Sequence, residues 1–152
     1  MNDKSTVSQV PGARTGDGTV RLRDLPVGPV IPVSDLERSR RFYETELGLT
    51  GSPAPAGSVL HCGGGTTVYL LAGTDYAGQA NWPLASFRTD DLDALVADLI
   101  DRGIRLEQIH DEWTDTDDRG IAELEGMRIA WLRDPDRQVI AMFELTGDGQ
   151  GG

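Results

Sequence analysis

The sequence predicts an α+β fold assembled from two copies of one module, each a strand, a helix and then further strands. Two observations predict it. An apolar strand candidate followed directly by an amphipathic helix occurs twice, with Asp35-Leu36 and Asp91-Leu92 opening the two helices. After each helix come runs rich in β-branched and aromatic residues, which favour strands. Neither half is expected to bury its apolar face alone, so the two should pair over a shared core. The joint between paired sheets is then the natural place for a ligand cleft.

Residues 1 to about 22 are polar and carry no apolar period, so a flexible N-terminal tail is expected there. The first module is placed at 23–75. It opens with "VGPVIPV", a short strand that Pro29 and Pro32 direct to a sheet edge or a bulge. In "SDLERSRRFYETELG", Ser34 and Glu37 have the spacing of a capping box, and Gly48 supplies the stop. A helix from about 35 to 47 follows, with Leu36, Phe42, Tyr43 and Leu47 on one broad face. "SVLHCGG" and "TTVYLLAG" then form a β-hairpin.

A linker at 76–83 leads to the second module at 84–146. "PLASFRT" is its first strand and "DDLDALVADLIDRG" its helix, with acidic residues in the first turn, Arg102 in the last and Gly103 as the stop. Leu92, Leu95, Val96, Leu99 and Ile100 make the apolar stripe. "IRLEQIH", "RIAWLRD" and "QVIAMFEL" supply strands, the last two joined by an Asp-Pro turn, and 147–152 form a flexible C-terminal tail.

Bulk properties exclude several function classes. A chain of 152 residues, 38% hydrophobic, suits one compact core shared by two small modules. No window approaches the ~18 consecutive apolar residues of a membrane span, and the N-terminus lacks the apolar centre of a signal peptide, so a cytoplasmic protein without membrane contact is expected. One cysteine, Cys62, cannot form an internal disulfide. Fourteen basic against 25 acidic residues, net charge -11, repel phosphate backbones and argue against a nucleic-acid partner.

Other motifs fail on inspection. "DTDDRGIAELEG" has Arg119 at a ligand position of a calcium loop and no closing glutamate. "HCGGGTT" lacks the lysine and the following helix of a phosphate loop. His61 and His110 are too few and too far apart in sequence for a Ser-His-Asp set or a histidine metal cluster. Cys62 is a conceivable nucleophile, although a cysteine on a strand is more often a small core residue.

With "VIPVSDLERSRRFYETELGL", "FRTDDLDALVADLIDRG" and "WLRDPDRQVIAMFE" in their order, the chain resembles the vicinal oxygen chelate (VOC) superfamily, which contains glyoxalase I, bleomycin-resistance proteins and extradiol dioxygenases. The resemblance runs from about Val27 to Leu145. It implies two paired βαβββ modules forming a glyoxalase-like half-barrel cleft, and a homodimer. Metal enzymes of the family place His, Gln or Glu at positions corresponding to Gly28, Tyr69, Leu84 and Ala141. None of the four is such a donor here, and a divalent ion needs about three protein ligands, so no metal and no cofactor are expected.

Strand alternation converts the same positions into a lining. Leu84 brings Ser86 and Arg88 to the inner face, Tyr69 brings Thr67 and Leu71, and Ala141 brings Val139 and Phe143. The family pattern packs Leu132 under a helix and leaves Trp131 towards the cavity. Trp82 and Trp113, in loops, are candidate lid residues able to stack on a flat or cationic ligand. The expected ligand-binding set is therefore Tyr69, Trp82, Leu84, Ser86, Arg88, Trp113, Trp131, Ala141 and Phe143. Two functions fit it. One is metal-independent sequestration of a hydrophobic or aromatic small molecule, in the manner of bleomycin-resistance proteins. The other is a VOC-fold isomerase, cyclase or lyase using His61, Tyr69 or Arg88 in acid/base or oxyanion roles, with a metal-dependent glyoxalase or dioxygenase as a more distant alternative.

Overall fold

The computed structural model describes residues 18–147; the outer parts of both expected tails, 1–17 and 148–152, lie outside the described residues. The chain forms two four-stranded sheets of the same internal order. The first contains β1 (Val30–Pro32), β2 (Thr50–Ala54), β3 (Gly57–His61) and β4 (Thr67–Leu71), arranged β1-β4-β3-β2. The second contains β5 (Ala85–Arg88), β6 (Ala122–Leu124), β7 (Met127–Arg133) and β8 (Val139–Leu145), arranged β5-β8-β7-β6. In both, the first strand runs parallel to the last and the other pairs are antiparallel. A helix lies between first and second strands each time, so both modules are βαβββ units.

The first helix, α1, is α-helical over Leu36–Arg40 and widens into π-helical turns over Arg41–Glu46. Its cap is Asp35, whose side chain accepts from Arg38 N at 3.1 Å, rather than the expected Ser34. Asp91 caps α2 (Leu92–Asp101) the same way, accepting from Ala94 N at 3.0 Å. Ser34 is diverted because its hydroxyl donates to Asp136 in the β7–β8 turn of the other module. Gly48 and Gly103 end the two helices with φ of 84° and 86°, a region glycine occupies without steric cost.

Two strands depart from the expectation. β2, "TGSPA", has no alternating apolar pattern and owes its conformation to pairing with β3, from Thr50↔His61 to Ala54↔Gly57. Its Pro53 is tolerated because β2 is the outermost strand. "IRLEQIH", expected as a full strand, makes only a single bridge to β7, Leu106↔Leu132, and one within the next loop, His110↔Asp115. The reason is competition for one edge: β6 occupies β7 from Met127 to Ile129, leaving only the Trp131–Leu132 end free. Ile104 and Leu106 are still buried there as an extended segment.

One core joins the modules. Ile31, Leu60, Val68 and Leu70 from the first sheet and Ala130, Leu132, Ile140 and Met142 from the second belong to the same buried cluster as Phe42, Tyr43, Leu92, Val96 and Leu99 from the helices. Ile100, expected on the apolar stripe, is instead 46% exposed. The modules are also clasped by polar contacts. The Tyr43 hydroxyl donates to Asp134 at 2.8 Å, and Arg38 pairs with Asp136 at 3.0 Å. Burial and the Asp134 carboxylate push the Tyr43 phenol far above its ordinary value, so it remains a donor. Among the described residues no helix is long and apolar enough to cross a membrane.

Candidate ligand-binding cleft

Alternation along the strands divides the second sheet cleanly. Ala130, Leu132, Ile140 and Met142 point to the helices and are at most 3% exposed. Ile129, Trp131, Val139, Ala141 and Phe143 therefore share the opposite face, with Ser86 and Arg88 of β5. Registration arranges that face in rows. Ser86 lies beside Ala141, which lies beside Trp131; Arg88 lies beside Phe143, which lies beside Ile129. Trp131 and Phe143 are half-buried, while Ala141 is 2% exposed beneath its larger neighbours.

Continuous with the β5 end of this face is a cavity of about 570 Å³. Its wall takes Val27 and Pro29 ahead of β1, Cys62, Thr66 and Thr67 around the β3–β4 connection, and residues 83–88. The cavity thus opens between the first strands of the two modules. Arg88 also borders a second cavity of about 310 Å³ on the helix side, lined otherwise by apolar residues such as Leu49, Leu95 and Met142 and by Thr89. Among the described residues, Arg88 is the one charged residue in the wall of the larger cavity. Among the described residues its guanidinium has neither a hydrogen-bond nor an ion-pair partner, unlike Arg38, Arg40, Arg102, Arg119, Arg128 and Arg133, each of which pairs with a carboxylate.

The structure brings Leu84, Ser86 and Arg88 into the cavity wall, and Trp131, Ala141 and Phe143 onto the adjoining sheet face. Tyr69 and His61 stand apart. The Tyr69 hydroxyl donates to the Pro55 carbonyl, and His61 Nε2 lies 2.8 Å from Ser52 Oγ on an exposed part of the first sheet. Trp82, adjacent to the cavity residue Pro83, is 63% exposed, and Trp113 is 79% exposed in a turn where its backbone N donates to Asp111 at 2.8 Å. Val27, Pro29 and Thr66 were not among the expected lining. The sequence places them in the strand candidates "VGPVIPV" and "TTVYLLAG", but β1 begins only at Val30 and β4 at Thr67, so all three stand in the preceding loops, outside the strand alternation. Burial pushes the Cys62 thiol up, so at neutral pH it stays protonated and is a poor nucleophile.

The residues at the four positions where the resemblance implies metal ligands do not fit an ion. A Cβ at Gly28 would meet the backbone carbonyl oxygen of Thr67 at 2.7 Å, so no ligating side chain fits there without a backbone shift. Leu84 and Ala141 offer no donor, and the Tyr69 hydroxyl is engaged as described. Among the described residues no group of three or more His, Cys, Asp or Glu side chains is placed to hold a metal.

Comparison with known proteins agrees with this architecture. A family model described as bleomycin resistance protein-like N-terminal matches residues 27–58. No curated protein matches the sequence. Among solved structures, the chain is similar to TnmS3, an antibiotic binding protein from Streptomyces sp. CB03234, at 25% identity and TM-score 0.54, covering 78% of this chain and 93% of that one. A glyoxalase/bleomycin resistance protein from the same organism is 26% identical with TM-score 0.51, covering 76% and 96%. One from Catenulispora acidiphila shares the fold at 22% identity and TM-score 0.57, covering 80% and 99%. Paired βαβββ modules of identical strand order, the Asp-capped helix entries and these likenesses together give the chain the paired-module fold of glyoxalase/bleomycin resistance proteins, with residues 27–58 matching the bleomycin resistance protein-like N-terminal family.

Proposed function

We propose that the protein binds and sequesters a hydrophobic or aromatic small molecule in the cleft between its sheets, without metal-dependent chemistry. The observation that carries this reading is the replacement of a donor set by an apolar and aromatic sheet face, Trp131, Ala141 and Phe143, next to a cavity large enough for a drug-sized ligand. Likeness to an antibiotic binding protein supports it. A homodimer, with each cleft completed by the partner, accompanies the proposal because it is the arrangement the family resemblance implies.

Catalysis by acid/base residues has weaker support. Of the three candidates His61 and Tyr69 lie outside the cavity wall, Arg88 within it is a permanent cation that cannot act as a base, and the Cys62 thiol there has a raised pKa. The test is native mass spectrometry of the purified full chain, with metal analysis of the same sample. A metal-free dimer retaining an aromatic or apolar small molecule is the expected result. Stoichiometric zinc, iron, manganese or nickel would overturn the proposal.

A further inference from the structure

We propose that the cleft selects an anion: an apolar or aromatic acid whose single carboxylate docks on Arg88. This deepens the sequestration reading and rests on it. An acidic residue occurs about once in six positions of this chain, 25 of 152, yet none of the described residues lining the larger cavity is acidic. Among them the one charge is a cation. The overall charge of -11 suggests affinity for cationic ligands, but the local charge at the cavity has the opposite sign.

The energetics favour the same conclusion. An uncompensated guanidinium is tolerable while water reaches it, but a ligand seated in the cleft removes that water. A neutral ligand would leave the charge desolvated and unmatched, and a cationic one would add repulsion. A carboxylate matches the planar guanidinium fork with two parallel hydrogen bonds. Ser86, two residues along the same face, and Thr67, across the cavity, are both exposed, and among the described residues neither hydroxyl has a partner, so both can donate to the same anion. Phe143, beside Arg88 in register, and Leu84 offer apolar contact to the rest of the molecule.

Isothermal titration of the full chain with three probes of one shape tests this: 2-naphthoate, its methyl ester and 2-naphthylmethylammonium. The naphthoate is expected to bind about ten- to a hundred-fold more tightly than the ester, with the ammonium weakest. In Arg88→Gln the naphthoate should lose its advantage over the ester, whose own binding holds or tightens because no charge is left desolvated beside it, and Arg88→Lys should retain part of the preference. Thermal melts of both variants confirm that they fold. Equal binding of naphthoate and ester, or a preference that survives Arg88→Gln, overturns the anion proposal and leaves the apolar cleft standing. Failure of all three probes to bind overturns both.

Discussion

Replacing Tyr43 with phenylalanine isolates one bond of the clasp between modules. Tyr43 is 1% exposed and Asp134 is 4% exposed. Asp134 Oδ1 accepts from the backbone N of Asp136 and of Gln138, both at 2.9 Å, whereas Oδ2 accepts from the Tyr43 hydroxyl at 2.8 Å. Phenylalanine preserves the ring packing and leaves Oδ2 buried without that donor. A hydrogen bond to a charged group contributes about 1.5–3 kcal/mol net, so urea unfolding at neutral pH should show a loss of that size. For a chain of this length the melting temperature should drop by roughly 3–12 °C. Acidity supplies a second signature. Burial raises the Asp134 pKa and the Tyr43 bond partly offsets the rise, so the variant's carboxyl should titrate higher still. A raised folded-state carboxyl pKa means that stability is gained as pH falls through it, and the variant begins to gain first. The deficit should therefore be full at neutral pH and narrow on acidification. A loss under about 0.5 kcal/mol, or a deficit that widens as pH falls, would refute the assignment of Asp134 as a buried ionised acceptor.

Three further outcomes are expected. Gly28→His should lower stability by about 1–3 kcal/mol through overlap with the Thr67 carbonyl and still recruit no zinc, checked by melting and by metal analysis after dialysis. Leu132→Ala, at a position 2% exposed in the shared core, should cost about 2–5 kcal/mol in chemical denaturation. Asp93 is held well below the usual carboxylate range by hydrogen bonds from Arg128 and Arg119, so any stability it contributes is present above the ordinary carboxylate pKa and is lost as pH falls through the depressed one. A carboxyl NMR titration should find it ionised after its neighbours have protonated, with the depression shrinking as salt is raised.

Much of this architecture is legible in the sequence because it is written locally. The helix entries at Asp35 and Asp91, the glycine stops and the β3–β4 hairpin all follow from periodicity and capping chemistry. What resists local reading is settled by distant partners. Nothing in "TGSPA" marks it as β2 until β3 lies beside it, and "IRLEQIH" has the pattern of a strand but loses most of the edge it would need to β6. Ser34 illustrates the same point on a smaller scale, since a capping box is a local motif and Asp136 is a remote competitor. The cleft divides similarly. Alternation from the Leu84 position puts Ser86 and Arg88 on one face, although the cavity wall takes the whole run 83–88, whereas Val27, Pro29 and Thr66 fall in strand candidates whose strands begin later, leaving them in loops beyond the reach of alternation.

The division of the second sheet into two faces bears on how such a protein could diversify. Along β7 and β8, positions 130, 132, 140 and 142 face the shared core, while 129, 131, 139, 141 and 143 face away from it. On the proposed function, foldability and ligand preference would thereby be encoded on alternating letters of the same two strands. A library randomised only at 129, 131 and 143, the half-buried members of the second group, could explore new specificities with little penalty in folding yield, whereas one randomised at the first group, or at the buried Val139 and Ala141, would mostly produce insoluble chains. Duplicated-module clefts of this kind separate the evolution of recognition from the maintenance of the fold by a distance of one residue.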